Sequence, residues 1–148
     1  MILVHTIAHL LIKQLGLECG YSSNSLRERL YFAEHDDGSG YAGVLIYTAS
    51  TSADGTLGGL VGQGDPKRLE AIIRGALQSA RWCSSDPLCG ESRGQGADAL
   101  NLAACHACAL VAETSCEKRN LFLDRGLVTG TLDDRSAAFF VDALDQLD

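Results

Sequence analysis

Four of the six cysteines in this 148-residue chain are spaced like the ligands of a single metal ion. Cys83 and Cys89 enclose five residues, a stretch of fifteen residues follows, and Cys105 and Cys108 then form a CxxC pair. A CxxC pair directs two sulfurs at one ion, and a second pair completes the tetrahedron that Zn²⁺ prefers. Because four thiolates leave no position for water, the pattern predicts one structural zinc per chain and a function in binding.

The cysteine pattern alone leaves the choice of ligands partly open. The spacer between Cys83 and Cys89 is longer than the roughly two to four residues typical of zinc-binding pairs. Cys116, which follows Cys108 by eight residues, is therefore a rival ligand that could replace either member of the first pair. Cys19 stands alone after an apolar segment and is interpreted as a core residue.

The composition indicates a globular protein of the reducing cytoplasm. Hydrophobic residues make up 46% of the chain, which is enough for one core at this length. We predict no signal peptide, because nothing resembles a basic n-region followed by a small-residue cleavage site. We predict no membrane association, because the longest apolar run is shorter than the roughly 20 residues of a membrane span. In the cytoplasm, clustered thiols indicate metal ligands before disulfides. The net charge of −7 argues against a stand-alone binder of DNA backbones.

Hydrophobic periodicity predicts an α+β fold that is mostly helical with a small β-sheet. The structural four-cysteine zinc site would cross-link this fold. Residues 1–17 are apolar on nearly every face and predict a buried helix, whereas residues 41–49 predict a strand. Asp65 and Pro66 mark the start of an amphipathic helix that runs into Cys83. Weaker patterns predict helices near residue 99 or 105, over 115–124 and over 136–147, and a helical turn capped by Ser25.

His5 and His9 lie one helical turn apart and therefore share a face of the predicted N-terminal helix. This spacing occurs in metalloproteases, where a glutamate after the first histidine acts as general base, but Thr6 holds that position here. A pair of hydrogen-bonded structural histidines is the preferred interpretation, and a second metal site is the alternative. A metal-dependent hydrolase or nuclease using His5 and His9 is one alternative function. His106, inside the CxxC pair, is interpreted as facing outward, with zinc ligation as its alternative.

Four arginines are the candidate contacts to nucleic acid or to a partner protein, because guanidinium groups bind phosphates and carboxylates through two parallel hydrogen bonds. Ordinary surface ion pairing, with partners such as Glu28, Glu117 or Asp124, is the competing interpretation. A stand-alone DNA-binding module is a further alternative function. We predict no catalytic residues. The candidate contacts are Arg27, Arg29, Arg119 and Arg125.

Five sequence segments occur in a fixed order: HTIAHLLI, LECGYSSNSLRERLY, GVLIYTASTSADGTLGGL, CSSDPLC and AACHACALVAETSCEKRNLFLDR. Together, over about residues 3–128, they resemble the MrfA-like zinc-binding (MZB) domain family, in its DrmB-like branch associated with DISARM phage defence. The resemblance implies that Cys83, Cys89, Cys105 and Cys108 hold one zinc. The first spacing here is longer than in the compact cluster of the helicase branch.

The resemblance also implies a non-enzymatic, helicase-associated accessory domain with a role in antiviral defence. Its partner would be a helicase-type protein or another domain of the same defence complex, and DNA would be contacted through that complex. The chain has no GK[ST] phosphate-binding loop and no DExH motif, so we predict no ATP hydrolysis. We predict that residues 1–148 form a single domain and are a fragment or the C-terminal part of a larger protein.

Overall fold

The computed structural model describes residues 1–22, 24–48, 57–131 and 133–146. Within these ranges, helices combine with a two-stranded antiparallel sheet, which confirms the predicted α+β class. The elements are α1 (Ile2–Cys19), β1 (Leu26–Glu34), β2 (Gly40–Thr48), α2 (Leu57–Gly62), α3 (Pro66–Ala80), α4 (Gly126–Thr129) and α5 (Val141–Asp145). Short 3₁₀ turns lie at Ala97–Ala99, Glu113–Ser115 and Arg135–Ala137.

Helix α1 is the central element of the fold, as its nearly uniform apolar surface predicts. One side packs against the β1–β2 hairpin and another side packs against α3. Gly20 ends the helix in the left-handed conformation, with φ of 71°, and its N–H donates to the Gly16 carbonyl. Glycine adopts this conformation without the steric cost of a Cβ atom. The buried residues of α1 are His5, Thr6, Ala8, His9, Leu10, Ile12 and Leu15.

The prediction of a helical turn after Ser25 is wrong, because residues 26–34 form strand β1. The Ser25 hydroxyl donates to the Ser22 carbonyl and so closes a local turn instead of capping a helix. β1 pairs with β2 in antiparallel register along its whole length. β2 corresponds to the strand predicted over 41–49, and residue 49 lies outside the described ranges. A glutamate in the middle of the inward face hides the period-two pattern of the strand. The buried inward residues are Leu26, Glu28 and Leu30.

Helix α3 confirms the start signal predicted at Asp65 and Pro66. The Asp65 side chain accepts hydrogen bonds from the backbone N–H groups of Lys67 and Arg68, at 3.1 Å and 3.4 Å. The helix buries one face against α1 and α4. Ile73 lies at the margin of that face and is 38% exposed. The buried residues are Ile72, Ala76, Leu77 and Ala80.

Replacing Asp65 with alanine is expected to lower the free energy of unfolding by about 1 kcal/mol, because two N–H groups of the first helical turn lose their acceptor. Urea unfolding followed by circular dichroism measures the change. Asp65→Asn is the matched control, since asparagine caps helices about as well as aspartate. Equal losses for the alanine and asparagine variants would contradict capping as the cause.

Most of the chain between α3 and α4 is irregular, and the helices predicted near residue 99 or 105 and over 115–124 are wrong. Asn101 and Asn120 explain the difference, because their buried side chains bond to backbone N–H and C=O groups that would otherwise pair within a helix. Asn101 donates to the Asn120 carbonyl at 2.8 Å and accepts from the Leu123 N–H at 2.9 Å. Asn120 donates to the Val111 carbonyl and accepts from the Val111 N–H. Positive φ angles at Asn120 and Phe122 also exclude a continuous helix.

The closing helix predicted over 136–147 is shorter than the pattern indicates. The Asp134 side chain accepts from the Ser136 N–H and supports a 3₁₀ turn, after which Ala138 adopts an extended backbone conformation. Helix α5 therefore covers only Val141–Asp145, and residue 147 lies outside the described ranges. Leu144 of α5 is buried against α1 and α3.

By length and composition, α1 is the one helix in the described ranges that could cross a membrane. The core helix of a soluble protein meets the same criterion. In this fold α1 lies between the hairpin and α3, and its two histidines are fully buried among polar groups. The apolar character of α1 is therefore accounted for by packing within the domain.

Candidate metal centre

The four cysteines of the predicted zinc pattern meet in one cluster beneath the end of α3. Cys83 follows the last turn of α3, and Cys89 lies in the series of turns that comes after it. Cys105 and Cys108 lie in a second turn, in which the Ala109 N–H donates to the Cys105 carbonyl. Three of the thiols are buried and that of Cys105 is half-buried.

The sulfur separations in this four-cysteine cluster fit a tetrahedral zinc site. Cys83 and Cys105 Sγ are 3.5 Å apart, and Cys89 and Cys108 Sγ are 3.7 Å apart. Cys105 and Cys108 Sγ are 3.8 Å apart, and all four sulfurs lie within 4.8 Å of one another. A zinc–sulfur bond of about 2.3 Å gives a tetrahedron edge of about 3.8 Å. A disulfide would require about 2.0 Å, so the spacing is that of metal ligands.

Hydrogen bonds and burial act on these thiols in opposite directions. Burial acts to raise the pKa of Cys105, but the Cys108 backbone N–H and the neighbouring thiols lower it to about 6. Burial raises the pKa of Cys89 and of Cys108. Because the four sulfurs cannot all ionise side by side in a buried space, loss of the last protons requires a cation. Zinc binding would supply that charge and release the protons.

A buried ion pair holds the first cysteine turn in place. Asp86 accepts from the Cys83 N–H at 2.9 Å and from the Gly90 N–H at 3.0 Å. Arg125 donates to Asp86 at 2.6 Å and to the Ala80 carbonyl, the last residue of α3, at 2.9 Å. Arg125 is 5% exposed, so the structure brings this candidate contact residue into the interior. Burial opposes its charge, but the carboxylate of Asp86 outweighs burial and raises the Arg125 pKa.

The structure places Cys116 and His106 apart from the four-cysteine cluster. Cys116 Sγ lies 3.2 Å from His5 Nε2, in a different cluster of side chains. His106 is exposed although both neighbouring cysteines of its CxxC pair point inward. Cys19 packs at the edge of the core cluster that contains Ile12, as expected for a core residue.

A second cluster of metal-ligating side chains was not predicted as a set. His5 and His9 of α1 meet Glu28 of β1 and Cys116, and the two histidines are fully buried. Burial acts to raise the pKa of Glu28, but the two adjacent histidine rings outweigh it and hold the pKa at about 2. The spacing of His5 and His9 was the available signal, whereas Glu28 resembled a surface residue. Because the cluster is closed to solvent, a substrate cannot reach it in this conformation, which disfavours a hydrolase site.

Two candidate contact arginines lie on the outward face of the hairpin. Arg27 and Arg29 are exposed on β1, and Arg29 forms an ion pair with Glu117 at 3.5 Å. In the register of the sheet, Arg27 lies opposite Tyr47, and three exposed tyrosines share the face. We call this the hairpin face: Arg27, Arg29, Tyr31, Tyr41, Leu45 and Tyr47.

The remaining candidate contact, Arg119, is exposed in the turn that follows Cys116. It lines an open groove of about 1040 Å³ together with Lys13 and His106. Lys13 is already engaged there, because its ammonium donates to the carbonyls of His106 and Ala107. The four arginines therefore occupy three different environments: the hairpin face, this groove and the buried pair with Asp86.

Comparison with known proteins gives two matches. The model of the MrfA Zn-binding domain family matches residues 7–109, a range that includes all four residues of the four-cysteine cluster and excludes Cys116. The DISARM protein DrmB of Bacillus paralicheniformis is 48% identical over 139 residues, which cover 94% of this chain. The same alignment covers 24% of that protein, so the chain spans about a quarter of the length of this relative.

Proposed function

Because the chain belongs to the MrfA Zn-binding domain family, we propose that it is a zinc-stabilised, non-enzymatic accessory domain of a DrmB-like phage-defence protein. The observation that carries the proposal is the 48% identity with a DISARM protein over 94% of the chain. The domain would act in the cytoplasm as one part of a larger protein. Reduced thiols in that compartment are compatible with four metal-bound cysteines.

The zinc ligands in this proposal are Cys83, Cys89, Cys105 and Cys108. Their sulfur separations match the edges of a tetrahedral four-thiolate site. Such a site is closed to water and substrate, so the ion would act as a structural cross-link between the end of α3 and the turn around Cys108. This supports a non-enzymatic role for the domain.

The hairpin face is the surface that we assign to DNA contact within the complex. Its two arginines can pair with phosphates, and its three tyrosines offer rings on which unpaired bases stack. With a net charge of −7, the chain as a whole is not attracted to DNA, so a local contact would depend on a partner that brings the strand close. A helicase-type protein is such a partner.

Changing both Arg27 and Arg29 to alanine is expected to weaken DNA binding by the complex of the full DrmB-like protein with its helicase-type partner. Loss of two phosphate contacts should reduce the slope of log K against log salt concentration by about 1.4–1.8. Fluorescence anisotropy at several salt concentrations measures both quantities. The matched control changes Lys67 and Arg74 on the exposed side of α3, which removes the same charge from another surface.

Two outcomes would contradict the assignment of the hairpin face. If both double variants weaken binding equally, net charge and not this surface is responsible. If neither variant has an effect, the domain does not contact DNA through these arginines. Binding by the isolated 148-residue chain, lost in the Arg27 and Arg29 variant, would instead favour the stand-alone DNA-binding module.

A further inference from the structure

We infer that His5, His9, Glu28 and Cys116 form a second metal site, separate from the four-cysteine cluster, that takes a divalent transition-metal ion. One thiolate, two imidazoles and one carboxylate are all ligands that Zn²⁺ accepts, and zinc is the ion to which we commit. The inference rests on the geometry of these four side chains and does not depend on the proposed role in phage defence.

Three separate segments bring the ligand atoms together. Helix α1 supplies His5 and His9 from successive turns of one face, and their ring centroids are 4.6 Å apart. Strand β1 supplies Glu28 at an inward position. The third segment is the 3₁₀ turn Glu113–Ser115, and Cys116 follows it directly. The four ligand atoms lie within 4.8 Å of one another.

The separations of these atoms are close to the edges of a zinc tetrahedron. Glu28 Oε1 lies 3.0 Å from His5 Nε2 and 3.5 Å from His9 Nε2. Cys116 Sγ lies 3.2 Å from His5 Nε2. Zinc bonds of about 2.0–2.3 Å to nitrogen, oxygen and sulfur give edges of about 3.3–3.8 Å. Small movements of the side chains would therefore accommodate the ion.

The hydrogen bonding of His9 indicates which of its nitrogens is available as a ligand. His9 Nδ1 lies 2.9 Å from the Ala109 carbonyl oxygen and must donate its proton there, because a carbonyl only accepts. In the neutral ring, Nε2 then carries a lone pair that points toward the Glu28 carboxylate. Two electron-rich atoms that face each other at 3.5 Å offer two ligands to a cation placed between them. Metal-bound histidines typically donate the other ring N–H in this way.

Unsatisfied buried atoms support the same conclusion. His9 Nε2 and Glu28 Oε2 have no hydrogen-bond partner in the described part of the chain, although both are buried. Buried polar groups are nearly always paired, so the orphaned His9 Nε2, which lies 3.5 Å from Glu28 Oε1, indicates a missing partner. His5 Nδ1, the ring nitrogen that does not face Cys116, is also without such a partner.

The surroundings of Cys116 resemble those of a metal-bound thiolate. Its sulfur accepts from the N–H groups of Lys118 at 3.3 Å and Asn120 at 3.1 Å. In the four-cysteine cluster, Cys83 Sγ accepts in the same way from the N–H two residues later, that of Ser85, at 3.4 Å. A thiolate and a carboxylate balance the two charges of the ion, so the filled site would be neutral, as burial requires.

Zinc analysis of the 148-residue chain, purified with reductant and without chelators, tests the inference. We expect two zinc equivalents per chain. X-ray absorption at the zinc edge should then give an average of about 2.5 sulfur and 1.5 nitrogen or oxygen ligands per ion, the mean of a four-sulfur site and a one-sulfur site. Cys116→Ala should lower the content to one equivalent surrounded by sulfur only. Cys19→Ala, the matched control, should leave two equivalents.

The number of sulfur ligands per zinc distinguishes a failure of this inference from a failure of the four-cysteine assignment. One equivalent with four sulfur ligands would overturn the second site and leave a hydrogen-bonded His–Glu–His network in its place. One equivalent with a single sulfur would support the second site and overturn the four-cysteine assignment. A chain without zinc would overturn both. These measurements on the unmodified chain remain decisive even if Cys116→Ala fails to fold.

Discussion

Replacing Cys108 with serine is expected to remove one zinc equivalent and to lower the free energy of unfolding by more than about 4 kcal/mol. Cys108 Sγ lies within 3.8 Å of two other sulfurs, so the remaining ligands cannot close a four-thiolate site without it. The turns around Cys89 and Cys105 contain no regular helix or strand that would hold them in the absence of the ion. Zinc analysis together with thermal unfolding measures both effects.

Cys19→Ser is the matched control for this variant. Cys19 is half-buried at the end of α1 and belongs to neither cluster, so its replacement should keep the zinc content and cost about 1 kcal/mol or less. Retention of full zinc content by Cys108→Ser would contradict the assignment of Cys108 as a ligand. Loss of zinc without loss of stability would contradict the role of the ion as a structural cross-link.

Replacing Asp86 with alanine is expected to lower the free energy of unfolding by about 3–5 kcal/mol, because it leaves the Arg125 charge buried and unpaired. The side chains of Arg125 and Asp86 are 5% and 15% exposed, so solvent cannot compensate for the lost partner. The same change removes the acceptor for the Cys83 and Gly90 N–H groups. We therefore also expect zinc affinity to fall about 10–100-fold, as it does when groups that orient metal ligands are removed.

An exposed ion pair in the same domain provides the control for Asp86→Ala. Arg135 and Asp145 are 3.2 Å apart, but their side chains are 58% and 59% exposed. Asp145→Ala should therefore change stability by less than about 1 kcal/mol and leave zinc affinity unaltered. Equal effects of the two variants in chemical denaturation would contradict the importance attributed to burial of the Asp86–Arg125 pair.

The parts of the fold that depend on residues close together in the sequence were predictable. The helix α1 and the start of α3 depend on apolar periodicity and on a capping pair, which are local properties. The convergence of the cysteine pairs was also predictable, because two cysteine pairs at this spacing are typical of a zinc site and of few other structures. The ranges between these landmarks were not predictable, because Asn101 and Asn120 form their hydrogen bonds with partners that no local pattern identifies.

Charged residues were the hardest to interpret from the sequence. Glu28 looks like a surface residue between two arginines, but it is 3% exposed and lies against histidines from α1. Arg125 looks like Arg27 and Arg29, yet its partner Asp86 lies 39 residues earlier in the chain. Whether a charge is buried depends on such distant partners, and a single sequence does not reveal them.

The central position of α1 has a consequence for the order of events during synthesis. Its residues His9 and Thr6 bond to Ala109 and Asp124, which are 100 and 118 residues later in the chain. At about 5–20 residues per second, a ribosome needs roughly 5–25 s to add those partners. The hairpin and α3 are synthesised early in that interval and can cover the apolar surface of α1, but His9 and Thr6 do not gain these two partners until its end. The buried polar contacts of α1 should therefore be among the last contacts of the domain to form during synthesis.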